Sequence, residues 1–94
     1  MSVSKEKLEA ILASISNYLE VGSDFGNHIA GVNMEGPYIS PAKCGAQAKD
    51  NITTPDFDYL DSLITSYPEI IKLVDVAPEV SGVLDLIKKY KDTI

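Results

Sequence analysis

Residues 29–47 read I-A-G-V-N-M-E-G-P-Y-I-S-P-A-K-C-G-A-Q, and the alternation in the first seven of them decides the fold class. Ala30, Val32 and Met34 alternate with Gly31, Asn33 and Glu35. One side is therefore apolar and the other small or polar, the period-2 pattern of a strand between two different environments. Gly36-Pro37 stops it, because proline has no N–H to give to a ladder and glycine frees the backbone. The spacing predicts a strand over 29–35 that carries Glu35 to its carboxyl end, the end at which α/β folds place their chemistry.

Toward the N-terminus, Leu8, Ile11, Leu12, Ile15, Tyr18 and Leu19 recur at helical spacing and predict an amphipathic helix over 4–20, with Ser4 as N-cap and Gly22 as its stop. The connection G-S-D-F-G-N-H then runs into the strand and ends in His28, the one histidine of the chain. Seven extended residues place His28 roughly 20 Å from Glu35, so it reads as a loop histidine and not as a companion ligand. Toward the C-terminus, a connection over 36–54 is long for a loop without structure of its own, a length usual for functional or mobile loops. Thr54-Pro55-Asp56 reads as the start of a second helix, with Thr54 as cap, Pro55 first in the helix, and Phe57, Leu60, Ile64 and Tyr67 on its buried face. Pro68 ends it. Ile-Ile-Lys-Leu-Val-Asp-Val over 70–76 is a second strand, stopped by Ala77-Pro78 as the first is by Gly36-Pro37. A third helix from residue 81 shows Val83, Leu86, Ile87 and Tyr90 on one side and Lys88, Lys89 and Lys91 at its end, where cations complement the dipole. Two strands joined through a helix are parallel. The expected order is helix, strand, helix, strand, helix, an α/β arrangement with two parallel strands.

The blocks N-M-E-G-P-Y, I-S-P, K-C-G-A-Q and V-D-V-A-P-E, in this order, also resemble the N-acetylglucosamine-6-phosphate deacetylase family of metal-dependent amidohydrolases, whose pattern runs approximately H-L-E-G-P-F, K-x-G-A-H or G-A-Q, and V-T-L-A-P-E. That family is several times longer than this chain. The resemblance implies that residues 1–94 form a single partial segment of a (β/α)8 barrel, and that the parent hydrolyses N-acetylglucosamine 6-phosphate to glucosamine 6-phosphate and acetate. It implies Glu35 as a metal ligand, with zinc or iron as the ion, and Ala46 and Gln47 as positions that touch the amino-sugar phosphate. Two further histidine ligands and an aspartate base of the family have no counterpart here, so no catalytic residue is expected within the chain, nor tight metal binding by it alone. Asn33 and Met34 stand where the family more usually has histidine and leucine. Asn33 shares the predicted face of Glu35, where it would orient that carboxylate or fill a polar position of the barrel interior. Asp75 reads as structural, needing partners from outside the segment, and Glu79 as a cap for the third helix or a charge favourable to its dipole.

Composition bounds the alternatives. Ninety-four residues, 45% of them hydrophobic, make one small domain, and a net charge of −6 without a basic cluster argues against nucleic acid or anionic membrane as partner. The single cysteine, Cys44, forms no internal disulfide, and the N-terminal M-S-V-S-K-E-K has no apolar signal segment, so a reducing cytoplasm is expected. Two strands with open edges also predict self-association into a homo-oligomer. The rival to the enzyme-fragment reading is a free-standing, non-catalytic βαβ module that binds a sugar phosphate or a protein.

Overall fold

The computed structural model describes residues 2–21 and 28–94, so the expected helix stop at Gly22 and the connection over 22–27 lie outside the described residues. Helix α1 (Lys5–Glu20) starts where the sequence places it: Ser4 is extended, and its hydroxyl accepts from the Lys7 amide at 3.3 Å. Its buried stripe is narrower than expected. Leu12 is fully buried, with Leu8, Ile15 and Leu19 packed around it, but Ile11 is 40% and Tyr18 38% exposed. Positions 8, 12, 15 and 19 make a single row along a helix, and a sheet of two strands is too narrow to cover the flanking positions as well.

Strands β1 (Val32–Glu35) and β2 (Ile71–Asp75) pair in parallel, Val32 with Ile71, Asn33 with Leu73, Met34 with Val74 and Glu35 with Asp75. The ladder is shorter than the expected 29–35 and 70–76. Its start is set by Gly31, whose φ of 149° suits glycine, and whose absent Cβ would meet the Lys72 side chain and the Ile70 carbonyl. Lys72 is the residue skipped in the register between Val32 and Asn33. The chains stay together beyond the strands through Gly36 N–H to Asp75 O (3.3 Å) and Ala77 N–H to Tyr38 O (3.0 Å). Met34 is buried and Val32 and Val74 half-buried on one face, while Asn33, Glu35, Leu73 and Asp75 are exposed on the other.

The second helix starts later than the Thr54-Pro55 pattern suggests. α2 runs Phe57–Ser66 and is capped by Asp56, whose carboxylate accepts from the Tyr59 amide at 3.0 Å and pairs with Lys5 at 2.7 Å. An ionised acceptor makes a stronger cap than a threonine hydroxyl, which leaves Pro55 outside the helix. Helix α3 (Val83–Tyr90) is preceded by Gly82, in the left-handed region at φ 85° without a side-chain cap, so of the two expected roles of Glu79 that of cap is corrected. Val83, Leu86 and Tyr90 are buried as the pattern suggests, and Ile87 is not, at 41% exposed.

Two apolar clusters result. Leu12, Met34, Leu63, Ile70 and Ile71 form one between α1, the sheet and α2, and Tyr38, Leu60, Val83, Leu86 and Tyr90 form the other around α3. α2 serves both, through Leu63 on one side and Leu60 on the other. A polar clasp closes the second: Asp61 accepts from Lys89 at 2.6 Å and from the Tyr90 hydroxyl at 2.5 Å. These bonds, that from Lys89 foremost, hold the Asp61 carboxyl below the usual carboxylate range. The group is more acidic folded than unfolded, so its contribution is present above the unfolded carboxylate pKa of about 4 and fades as pH falls through the lower folded value. Urea midpoints are expected to fall less between pH 6 and pH 3 in Asp61→Asn than in the wild type; parallel pH profiles would show that the clasp adds nothing.

Candidate functional site

The carboxyl end of β1 gathers the residues the sequence singles out. Glu35 is the last residue of the strand, exposed, and opposite Asp75 in the register, so two carboxylates lie side by side on the uncovered face of the sheet. Asn33, one pleat back on that face, donates its amide to Asp75 Oδ2 at 3.0 Å. The expectation that Asp75 needs partners from outside the segment is thus corrected: Asn33 is its partner.

Immediately after Glu35 the backbone is crowded. Gly36 has φ 83°, and a Cβ there would meet the Ser2 hydroxyl. The same Cβ position lies 3.7 Å from Gln47 Oε1, so Gln47 reaches to within van der Waals contact of the residue that follows Glu35. Its reach is set by a turn in which the Gln47 amide donates to Cys44 O at 3.2 Å and Gly45 takes φ 60°. Ala46, the other expected contact position, is exposed at the tip of that turn. Cys44 is buried beneath it, its thiol directed to Pro41 O at 3.5 Å. The fold therefore brings Gln47 to the residue that follows Glu35, Ala46 is exposed on the turn before it, and His28 is exposed at the far end of the segment leading into β1.

Two residues that the sequence does not single out complete the arrangement. Ser2 is 5% exposed, and its backbone N–H donates to Gln47 Oε1 at 2.6 Å. Its carbonyl accepts from Asn51 Nδ2 at 3.3 Å, and its hydroxyl approaches the Glu35 carbonyl at 3.5 Å. Asn51 ends a 3-10 turn at Lys49–Asn51. Contacts between residues 45 and 49 positions apart leave no local pattern in a sequence.

Chemically the end of the sheet offers hard carboxylate oxygens and amide groups, which suits a divalent ion and a hydroxyl-rich or amide-bearing ligand. Among the described residues no group of three or more His, Cys, Asp or Glu side chains is placed to hold a metal ion. Nor is any helix there long and apolar enough to cross a membrane.

No family model matches the chain. It is 34% identical over 73 residues, 78% of its length, to the N-acetylglucosamine-6-phosphate deacetylase of Bacillus subtilis (strain 168), of which it covers 18%. It is 30% identical over 84 residues, 89% of its length, to the N-acetylgalactosamine-6-phosphate deacetylase of Escherichia coli O157:H7, of which it covers 22%. The similarity is thus to two amino-sugar-phosphate deacetylases, and to part of each. The chain spans about a fifth of the length of these curated relatives.

Proposed function

We propose that this chain is a piece of a metal-dependent (β/α)8 amidohydrolase barrel that hydrolyses the acetamide of an amino-sugar phosphate, N-acetylglucosamine 6-phosphate in the first instance, to the free amine and acetate. The observation that carries the reading is the similarity to two deacetylases over most of the chain, and a strand that ends at Glu35, with Gln47 against the Gly36 that follows, supports it. In this reading Glu35 is one ligand of a zinc or iron ion, which when bound would polarise water or the amide carbonyl. In this reading the other ligands and the general base come from other strands of the barrel. What the chain itself would supply in this reading is the Glu35 carboxylate at the strand end and, for contacts to the sugar, the turn that carries Ala46 and Gln47.

The test is an exchange of segments. The 73 matched residues of the Bacillus subtilis deacetylase are replaced by those of this chain, and the folded chimera is assayed for release of acetate from N-acetylglucosamine 6-phosphate. Turnover is expected. A folded chimera that retains its metal but releases no acetate would contradict the assignment of this segment to such a site.

A further inference from the structure

Ser2 ties together three parts of the chain that the sequence keeps far apart. Its N–H donates to Gln47 Oε1 at 2.6 Å, its C=O accepts from Asn51 Nδ2 at 3.3 Å, and its hydroxyl lies 3.5 Å from the Glu35 carbonyl oxygen. Ser2 is buried, whereas Val3 is half-buried and Ser4 exposed. The fold thus takes in the polar residue, and the partners facing its N–H, C=O and hydroxyl offset the cost of burying them.

The bond from Ser2 decides which way round the Gln47 amide stands. A backbone N–H only donates, so the Gln47 oxygen is turned toward Ser2 and the nitrogen away from it. Among the described residues nothing accepts from Gln47 Nε2, and none of their buried side-chain nitrogens or oxygens lacks a partner, so this nitrogen is open to solvent. An amide held by its oxygen offers donors, and it recognises an acceptor such as a phosphate or carbonyl oxygen. Asn51 secures the arrangement from the other side. Its side-chain bond is to the Ser2 carbonyl, so its hold on the Gln47 side chain passes through Ser2.

We propose that Ser2 and Asn51 are positioning residues: Asn51 holds the Ser2 backbone, Ser2 holds the Gln47 oxygen, and Gln47 is left to donate through its nitrogen to an acceptor oxygen of the sugar phosphate. This deepens the proposed function and rests on it for the contact between Gln47 and the sugar. Left unheld, Gln47 would have to be ordered on binding, which for one flexible side chain weakens affinity by about two- to tenfold.

The test has two arms. In the full chain, hydrogen exchange of the Ser2 backbone amide is followed by NMR. Exchange is expected to be slow, to quicken at least about tenfold in Gln47→Ala, and to stay slow in Gln47→Glu, whose carboxylate still accepts from the N–H. A Ser2 amide that exchanges equally fast in all three chains overturns the proposal at its first bond. In the second arm the segment-exchange chimera is widened to begin at Ser2, and KM and kcat are measured for acetate release from N-acetylglucosamine 6-phosphate. Asn51→Ala is expected to raise KM about two- to tenfold with kcat and metal content unchanged, and to add nothing in a Gln47→Ala background, because it acts through Gln47. Gln47→Glu is expected to raise KM further, since an acceptor then faces the acceptor oxygen. Effects of Asn51→Ala and Gln47→Ala that multiply, or loss of folding in Asn51→Ala, overturn the positioning role and leave Gln47 as a sugar contact. An unchanged KM in Gln47→Glu overturns the donor contact. A folded, metal-loaded chimera without turnover overturns the deacetylase reading and the sugar contact with it, and the exchange arm then shows separately whether Ser2 holds Gln47.

Discussion

Added zinc or iron and N-acetylglucosamine 6-phosphate are expected to give no turnover with the isolated 94-residue chain, and light scattering is expected to show its mass rising with concentration. The first half follows from the site. Glu35 and Asp75 are exposed carboxylates at one end of a two-stranded sheet, and no third metal-binding side chain is placed with them among the described residues. Catalytic zinc sites ordinarily use three protein ligands, and a weakly held ion in open water does little to bound water. The second half follows from the sheet. Parallel sheets are ordinarily covered on both faces, but here Leu73 is 61% exposed beside Asn33, and β1 and β2 each have one strand neighbour. Glu35 and Asp75 on the bare face repel a second copy stacked face to face, so association is expected at the strand edges and is expected to increase with salt. A compact monomer at high micromolar concentration would contradict the edge argument. Turnover that Glu35→Ala abolishes would show that the segment assembles a working site by itself.

Leu60→Ala is expected to cost about 2–5 kcal/mol, a large part of the stability of a domain this small. Leu60 is fully buried at the centre of the cluster formed with Tyr38, Val83, Leu86 and Tyr90, and Phe57, Ile64, Val74 and Val76 close around it. A thermal melt followed by circular dichroism is expected to fall by at least about 10 °C. Leu84→Ala, on the outer side of α3 at 59% exposure, is expected to change stability by less than about 0.5 kcal/mol. Equal melting temperatures for the two variants would mean that the α3 cluster does not hold the fold together.

The elements were legible where a short-range pattern has a direct physical cause. Alternation from Val32 to Glu35 marks a strand with one wet face, and that face is the exposed one. The Ser4 cap and the parallel pairing of the two strands are likewise local in origin, the second because a helix must join strands that run the same way. Boundaries failed where tertiary contacts chose among local options. Asp56 displaces Thr54 as cap because Lys5, on another helix, pairs with it. Leu63 escapes a stripe drawn through 57, 60, 64 and 67 because α2 lies between two cores and buries two adjacent rows. β1 starts at Val32 because Gly31 must pass the Ile70 carbonyl in a conformation and a space that suit glycine.

The candidate site divides in the same way. Glu35 and the G-A-Q turn are contiguous motifs, each recognisable by itself, and the fold adds that Gln47 comes back to the end of β1. The Asn33–Asp75 bond and the grip of Gln47 and Asn51 on Ser2 join residues more than 40 positions apart. Such pairs depend on how the loop after β1 folds against the N-terminal segment, and no periodicity encodes that.

The most direct measurement is the metal content and turnover of the segment-exchange chimera purified beside its Glu35→Gln counterpart. Glutamine keeps the size of the side chain and removes the charge that makes the oxygen a good ligand for a hard divalent ion. If Glu35 is a metal ligand, metal content and acetate release fall together, turnover by at least about a hundredfold, more than a lost supporting contact to a ligand would cost. Full metal occupancy and unchanged turnover in Glu35→Gln would contradict the assignment on which the deacetylase reading of this chain rests.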